Sequence, residues 1–240
     1  MLDLHCHILP GLDDGAANVE VSLAMAAMAA DSGVTHVFAT PHCNTRNVRQ
    51  NFRSRSLIAA YTDLQDALDE AGIPVKILSG AEVLARGHFA EHLAAGDFMT
   101  LNGSRYLLVE FYFDEDPDYM ERCLSAVEAR GLVPVIAHPE RYYPVQRAPE
   151  LAQVWAERGW ILQLNKESLL GGHGEDAFNA ASLLLRRGAV AVIASDAHHF
   201  RWRTPHMGEL LDVLVSRFPE VDPGLLLYEN PLRIARDQAL

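Results

Sequence analysis

Tyr119-Met-Glu-Arg-Cys-Leu-Ser-Ala-Val-Glu-Ala-Arg-Gly-Leu-Val-Pro-Val-Ile-Ala-His138 decides the fold. Tyr119–Arg130 carries its apolar residues at helical spacing. Gly131 stands where a helix C-terminal cap needs a left-handed residue. Val133–His138 is a β-branched apolar run, the signature of a buried strand, and it ends abruptly on an imidazole. The same alternation runs along the whole chain. Strand-like runs fall at Leu2–His7, Val34–Thr40, Val75–Gly80, Tyr106–Glu110, Ile161–Asn165 and Val190–Ser195. Helical patterns fall at Val19–Ser32, Arg53–Ala71, Ala148–Arg158 and Asp176–Arg187, and Gly33, Gly72, Gly159 and Gly188 follow them. Strands alternating with helices require a parallel sheet with right-handed crossovers. Such a sheet either stays open and doubly wound or closes into a barrel. The length, 240 residues, is close to the ~250 that a β/α barrel uses. The chain has no internal repeat, low-complexity tract or long linker, so one domain over residues 1–240 is expected, with a last helix near Pro231.

Composition narrows the function. Hydrophobic residues make up 49%, enough for a sizeable core, and the net charge of −12 opposes non-specific nucleic-acid binding. The Arg46, Arg49, Arg53 and Arg55 group reads as a solvated helix face. Three scattered cysteines, Cys6, Cys43 and Cys123, fit a reducing compartment rather than a disulfide framework. Neither the N-terminus nor the Ala16–Ala30 stretch suits a signal peptide or a membrane span. A cytoplasmic protein without membrane insertion is expected.

The chemistry sits where the strands end. The ends carry His5 and His7, then His42, Glu82, Glu110, His138, Asn165, and Asp196 with His198; Asp14 follows in the first loop. The C-terminal ends of barrel strands converge on one mouth, where active sites form. Residues two apart on a strand share a face, so His5 and His7 can grip one ion while Cys6 packs behind them, and Asp196 and His198 can do the same. Nitrogen and oxygen donors without thiolate favour zinc, manganese or iron. So many carboxylates imply more than one ion, an arrangement suited to hydrolysing a phosphate ester with water that the metals activate. Arg141 and Arg203 stand beside the ligands and offer forks matched to phosphate oxygens.

A rival chemistry is also spelled out. His42-Cys43-Asn-Thr-Arg-Asn-Val-Arg49 is a literal H-C-x5-R, the pattern of thiolate phosphatases, but its loop lacks glycine and Gln50 follows the arginine. His88 and His92 read as an exposed helical pair, His173 as a turn residue, and His199 and His206 as rim residues. Asp114, Glu115, Asp116 and Asp118 read as a solvated loop, and Lys166 has no evident role.

The quoted motifs carry a resemblance. Asp3-Leu-His-Cys-His-Ile-Leu-Pro-Gly-Leu-Asp-Asp-Gly15, Ala39-Thr-Pro-His42, Gly80-Ala-Glu82, Leu108-Val-Glu-Phe111, Ala137-His-Pro-Glu-Arg-Tyr142, Gln163-Leu-Asn165 and Ser195-Asp-Ala-His198 occur in order along nearly the whole chain. Together they resemble the bacterial capsule-biosynthesis protein-tyrosine phosphatases of the CpsB/CapC type, within the polymerase-and-histidinol-phosphatase (PHP) superfamily. The resemblance implies a distorted seven-stranded β/α barrel holding three divalent ions, often manganese. It places His5, His7, Glu82 and Asp196 on one ion. Glu82, Glu110 and His138 would hold a second, and Asp14, His42 and His198 a third. Arg141 and Arg203 would grip phosphate, although Arg201 and Trp202 crowd the same loop. The implied substrate is phosphotyrosine on the tail of a tyrosine kinase controlling polysaccharide synthesis. A small-molecule phosphatase acting on histidinol phosphate, and a metal-binding partner protein without turnover, are the alternatives.

Overall fold

A computed structural model describes residues 1–45 and 50–240; Arg46 and Arg49, and with them the arginine end of the H-C-x5-R pattern, lie outside the described residues. The strands are β1 (Leu2–Cys6), β2 (His36–Ala39), β3 (His42–Cys43), β4 (Lys76–Ser79), β5 (Glu82–Leu84), β6 (Tyr106–Glu110), β7 (Val133–Ala137), β8 (Ile161–Asn165) and β9 (Val192–Ala194). Hydrogen bonding orders them as β1-β2-β4 and β3-β5-β6-β7-β8-β9, each pairing parallel. β2 and β3 are one strand interrupted at Thr40-Pro41, where proline has no N–H for the ladder. β4 and β5 are its neighbour, interrupted beside it at Gly80-Ala81. A Cβ on Gly80 would lie 2.9 Å from the Leu101 side chain and 3.1 Å from that of Thr40, so a larger residue here would have to push both aside. The ring closes where Asp196 N–H donates to His5 O and His7 N–H to Ala197 O, both at 2.8 Å. The seven expected strands thus form a closed, distorted barrel, the second and third each broken in two.

Helices Val19–Asp31, Arg55–Glu70 and Pro117–Glu128 begin on Asn18, Ser54 and Asp116, whose side chains accept from the third residue onward. They bury Met25 and Ala29, Leu64 and Leu68, and Met120 and Leu124 in the apolar layer outside the barrel. Each buried Leu or Met stabilises that layer by about 1.5–3 kcal/mol. Gly131 closes its helix at φ +75°, as its place in the sequence requires.

Side-chain alternation splits every strand between this outer layer and the barrel interior. Val37, Leu107, Val109, Ile136, Leu162, Leu164 and Ile193 face outward. Leu2, Leu4, Phe38, Tyr106, Leu108, Val135, Ala137, Ile161, Val192 and Ala194 form the interior's apolar floor. The C-terminal segment covers that floor from below: Ile234 packs into it and Tyr106 Oη donates to Gln238 O at 2.7 Å.

Candidate metal centre

Continuing the inward parity past the floor gives the site. Phe38 leads two by two to Thr40 and His42, Leu108 to Glu110, Ile161 to Gln163 and Asn165, and Ala194 to Asp196. Three ligand candidates need more than parity. The β1–β2 register shifts between Asp3 and Cys6, a bulge that moves His5 and His7 onto the interior face occupied by Leu2 and Leu4 below, while Cys6 joins the outer layer. His138 would face outward on a regular strand, and its left-handed backbone at φ +36° turns it inward.

The donor atoms converge. His5 Nε2 and His7 Nε2 lie 3.1 Å apart. His5 Nε2 stands 3.3 Å from Glu82 Oε1 and 3.5 Å from Asp196 Oδ1. His7 Nε2 is 3.2 Å from Glu82 Oε2 and 3.4 Å from Asp196 Oδ1. His138 Nε2 meets Glu82 Oε1 at 2.8 Å. His42 Nδ1 lies 3.0 Å from both Glu82 Oε2 and Glu110 Oε1. Asp14 Oδ1 is 3.5 Å from His42 Nε2 and 3.4 Å from His198 Nε2. Three groups have donors close enough to share an ion: His5, His7 and Asp196; His42, Glu82 and Glu110; and His7, Asp14, His42 and His198. All nine candidate ligands therefore meet at one mouth. His42, rather than His138, stands beside Glu110, and His138 shares a Glu82 oxygen with His5.

The protonation pattern shows what this cluster suits. Gln163 gives its NH2 to Leu164 O and Asn165 Oδ1, so its oxygen accepts from His5 Nδ1 at 2.9 Å. Asp13 accepts from His7 Nδ1 at 2.7 Å. Each ring donates from Nδ1, so both Nε2 atoms face the carboxylates, which raise the two imidazoles against the opposing effect of burial and favour a positive charge there, a proton or a metal cation in its place. Asp196 Oδ1 and His138 Nδ1 are buried without a hydrogen-bond partner among the described residues, and His42 Nδ1 and Glu82 Oε2, though 3.0 Å apart, are not aligned as a hydrogen bond. Burial pushes the Glu82 carboxyl up, yet the His5 and His42 charges outweigh it and hold the group well below the usual range. Burial and the Glu82 charge push Glu110 up. His42 is disfavoured as a cation by burial, but Glu82 and Glu110 drive it up to about 11. Burial pushes His138 down to about 4. Divalent cations fit this donor set, and they would compete with the protons held there.

Both expected arginines reach the cluster. Arg203 pairs with Asp196 Oδ2 and lies 3.3 Å from His198 Nε2, while Arg141 Nη1 is 3.5 Å from Asp196 Oδ2. Arg201 instead stacks over Phe200. His88 pairs with Glu91 and His92 with Asp97, away from the mouth.

Several residues escaped the sequence reading. Asp13, neighbour of the candidate ligand Asp14, braces His7 and also accepts from Gly15 N and His42 N. Lys166, buried beside β8, donates to Thr204 O at 2.5 Å and His206 O at 3.1 Å, fastening the loop that carries Arg203. Glu140 accepts from Asn165 N and Ser168 Oγ, and burial raises it to about 7. Ser168 Oγ meets His173, which burial and the charges of Arg141 and Arg203 lower to about 3. The Asp13-Asp14 doublet was the one local signal; the others depend on contacts across the fold.

The phosphotriesterase from Mycobacterium tuberculosis shares the fold, with TM-score 0.51 at 13% identity over 100% of this chain and 94% of that one. Much nearer is a chain from the crystal structures of YwqE from Bacillus subtilis and CpsB from Streptococcus pneumoniae, described as unique metal-dependent tyrosine phosphatases. It superimposes with TM-score 0.91 at 34% identity, covering 100% of this chain and 96% of its own. In sequence, the tyrosine-protein phosphatase YwqE of Bacillus subtilis (strain 168) is 35% identical over 240 residues, 100% of this chain and 93% of the relative. The tyrosine-protein phosphatase CpsB of Streptococcus pneumoniae is 28% identical over the full length of both. Residues 1–236 match the family described as capsular polysaccharide synthesis, CpsB/CapC, and the chain belongs to that family.

Proposed function

We propose that this protein is a metal-dependent protein-tyrosine phosphatase acting on a phosphorylated protein, with a tyrosine kinase of capsular or exopolysaccharide synthesis as its substrate. The observation that carries the reading is the convergence of buried imidazole and carboxylate lone pairs beside two arginine forks. Relatives of 35% and 28% identity named tyrosine-protein phosphatases support the substrate class.

His5, His7, Asp14, His42, Glu82, Glu110, His138, Asp196 and His198 would hold three divalent ions, with manganese expected and zinc or iron as alternatives. When bound, such ions lower the pKa of water and neutralise charge building on the phosphate. Arg141 and Arg203 bind and orient the phosphate oxygens from the rim. Asp196, already between both arginines and the histidines, aligns the two halves of the site. Asn165 holds Asp196 through its amide at 2.6 Å. Among the described residues no helix is long and apolar enough to cross a membrane, and all three cysteines are free. A cytoplasmic location fits those free thiols.

The test is hydrolysis of a phosphotyrosine peptide and of histidinol phosphate by one preparation, after chelation and after adding manganese back. Manganese-restored hydrolysis of the peptide is expected. Activity confined to histidinol phosphate would refute the substrate assignment, and activity surviving chelation would refute the metal requirement.

A further inference from the structure

Resting on the phosphotyrosine reading, we propose that Phe113 is the platform for the substrate's phenol ring and makes the site prefer aryl over alkyl phosphates. Phe113 lies beyond β6, just past the candidate ligand Glu110. Its ring centroid is 6.3 Å from that of His138, edge-on at 74°. The Arg141 guanidinium carbon sits 4.5 Å from the same centroid. The loop bearing Phe113 is fixed from the opposite side by Tyr143 N–H donating to Phe113 O at 2.7 Å. The ring is nonetheless 37% exposed, a large apolar surface left open beside a candidate metal ligand and a phosphate-binding fork.

The chemistry of the substrate matches that position. In an aryl phosphate a single bridging oxygen joins phosphorus to the ring, so the ring must lie immediately beside the phosphate-binding groups. Arg141 can turn its N–H edge to the phosphate while its plane stays on Phe113. The exposed part of Phe113 then meets the substrate ring in an edge or offset contact. Four other aromatic residues of the neighbouring loops are engaged elsewhere. Phe111 and Tyr142 are buried, and Tyr142 Oη donates to Ala137 O and accepts from Phe111 N–H. Tyr112 pairs with Arg86 through both its hydroxyl and its ring face. Trp202 lies flat on His199, with centroids 3.9 Å apart and planes 2° apart.

The test measures KM and kcat of the manganese-loaded protein for a phosphotyrosine peptide, and the competitive Ki of inorganic phosphate, which has no ring. F113A, F113L, F113W and W202A are compared with the wild type. F113A and F113L are expected to raise KM by about three- to tenfold. Their Ki for phosphate should stay within about twofold, and F113W should restore KM. A wild-type KM in F113A would overturn the platform and leave the phosphatase reading standing. So would a rise in KM for W202A alone. KM and Ki rising together would show that Phe113 only positions Arg141, which also overturns it. A wild type that turns over histidinol phosphate but never the peptide would sink the underlying reading and the platform with it.

Discussion

Replacing Asp13 by Asn removes one charge and one acceptor from beneath the candidate metal site while keeping the side chain's size. In the native loop Asp13 Oδ2 accepts from His7 Nδ1 at 2.7 Å and from His42 N at 2.9 Å, and Oδ1 accepts from Gly15 N at 3.0 Å. An amide has only one acceptor oxygen. The least costly rotamer keeps that oxygen on His7 and His42 and turns the NH2 toward the Gly15 N–H, leaving two donors facing each other. One orphaned buried N–H costs about 1–3 kcal/mol. At roughly 2–4 °C per kcal/mol for a chain of this size, the melting temperature should fall by about 2–12 °C. His7 also loses the carboxylate that fixes its tautomer and raises the basicity of Nε2, a change that typically costs about 10–100-fold in metal affinity. Burial alone would raise Asp13, but the His7 charge and the three hydrogen bonds lower it overall. Its stabilisation is therefore complete above the ordinary carboxylate value of about 3.9 and lost as pH falls through the lower folded value. The gap between wild type and variant should be full at pH 7 and shrink in strong acid. The assay is manganese titration of chelated protein followed by calorimetry, with melting curves at both pH values. Wild-type manganese affinity in D13N, whatever the melting temperature does, would refute the bracing role and leave Asp13 as a loop fastener.

Three further outcomes follow from the same geometry. Cys43 is buried in the outer layer, and burial pushes its thiol up to about 12; C43A should keep hydrolysis within about threefold, and iodoacetamide should leave Cys43 unmodified in the folded protein at neutral pH. Loss of activity in C43A with metal content unchanged would revive a thiolate mechanism. Lys166→Met removes the ammonium that holds Thr204 O and His206 O; kcat/KM should fall about tenfold through a looser Arg203, since misplacement of a positioning group costs up to about 100-fold, and unchanged kinetics would show that the loop holds itself. Gly15→Ala would bring a Cβ to 2.1 Å from His7 O; the loop must move, at a cost of about 1–3 kcal/mol, and manganese should bind more weakly, so a melting curve and titration matching the wild type would contradict the packing described.

The candidate ligands stood out in the sequence because a polar residue at the end of an apolar β-branched run has few other reasons to be there, as Glu110 after Tyr106–Val109 illustrates. Barrel closure was expected only through the family resemblance, because the residue pattern alone left an open sheet as an alternative. It depends on Asp196 and Ala197 meeting β1, a contact between the two ends of the chain that no local periodicity encodes. The expected strand Val34–Thr40 continues past Pro41 as β3, because the ladder resumes once the residue lacking an N–H is passed. Lys166 gave no signal since its partners are backbone carbonyls of residues 204 and 206, which look alike in any sequence. Phe113 gave no signal in the sequence, where it only precedes the acidic Asp114–Asp118 run, and the fold alone places its ring beside the Arg141 guanidinium.

The backbone at the mouth explains why this site depends on the whole barrel. His138, Asp196 and Arg203 all adopt left-handed conformations, at φ +36°, +50° and +44°. Each such non-glycine residue costs on the order of 1–3 kcal/mol and persists only where its surroundings over-determine it. Those surroundings are visible. Asp196 N–H is tied to His5 O, His198 N–H to Arg203 O, and Arg141 N–H to His138 O, so each strained residue belongs to a hydrogen bond that closes a strand end or the loop beyond it. A regular strand would send His138 outward into the apolar layer. The strain is thus what brings a fourth imidazole to Glu82, beside His5, His7 and His42, and the ring of strands that absorbs it is the same ring that gathers the other donors. Loosening the closure between β9 and β1 should therefore disturb the candidate metal ligands before it disturbs the apolar floor, which is held by side chains packed below the break.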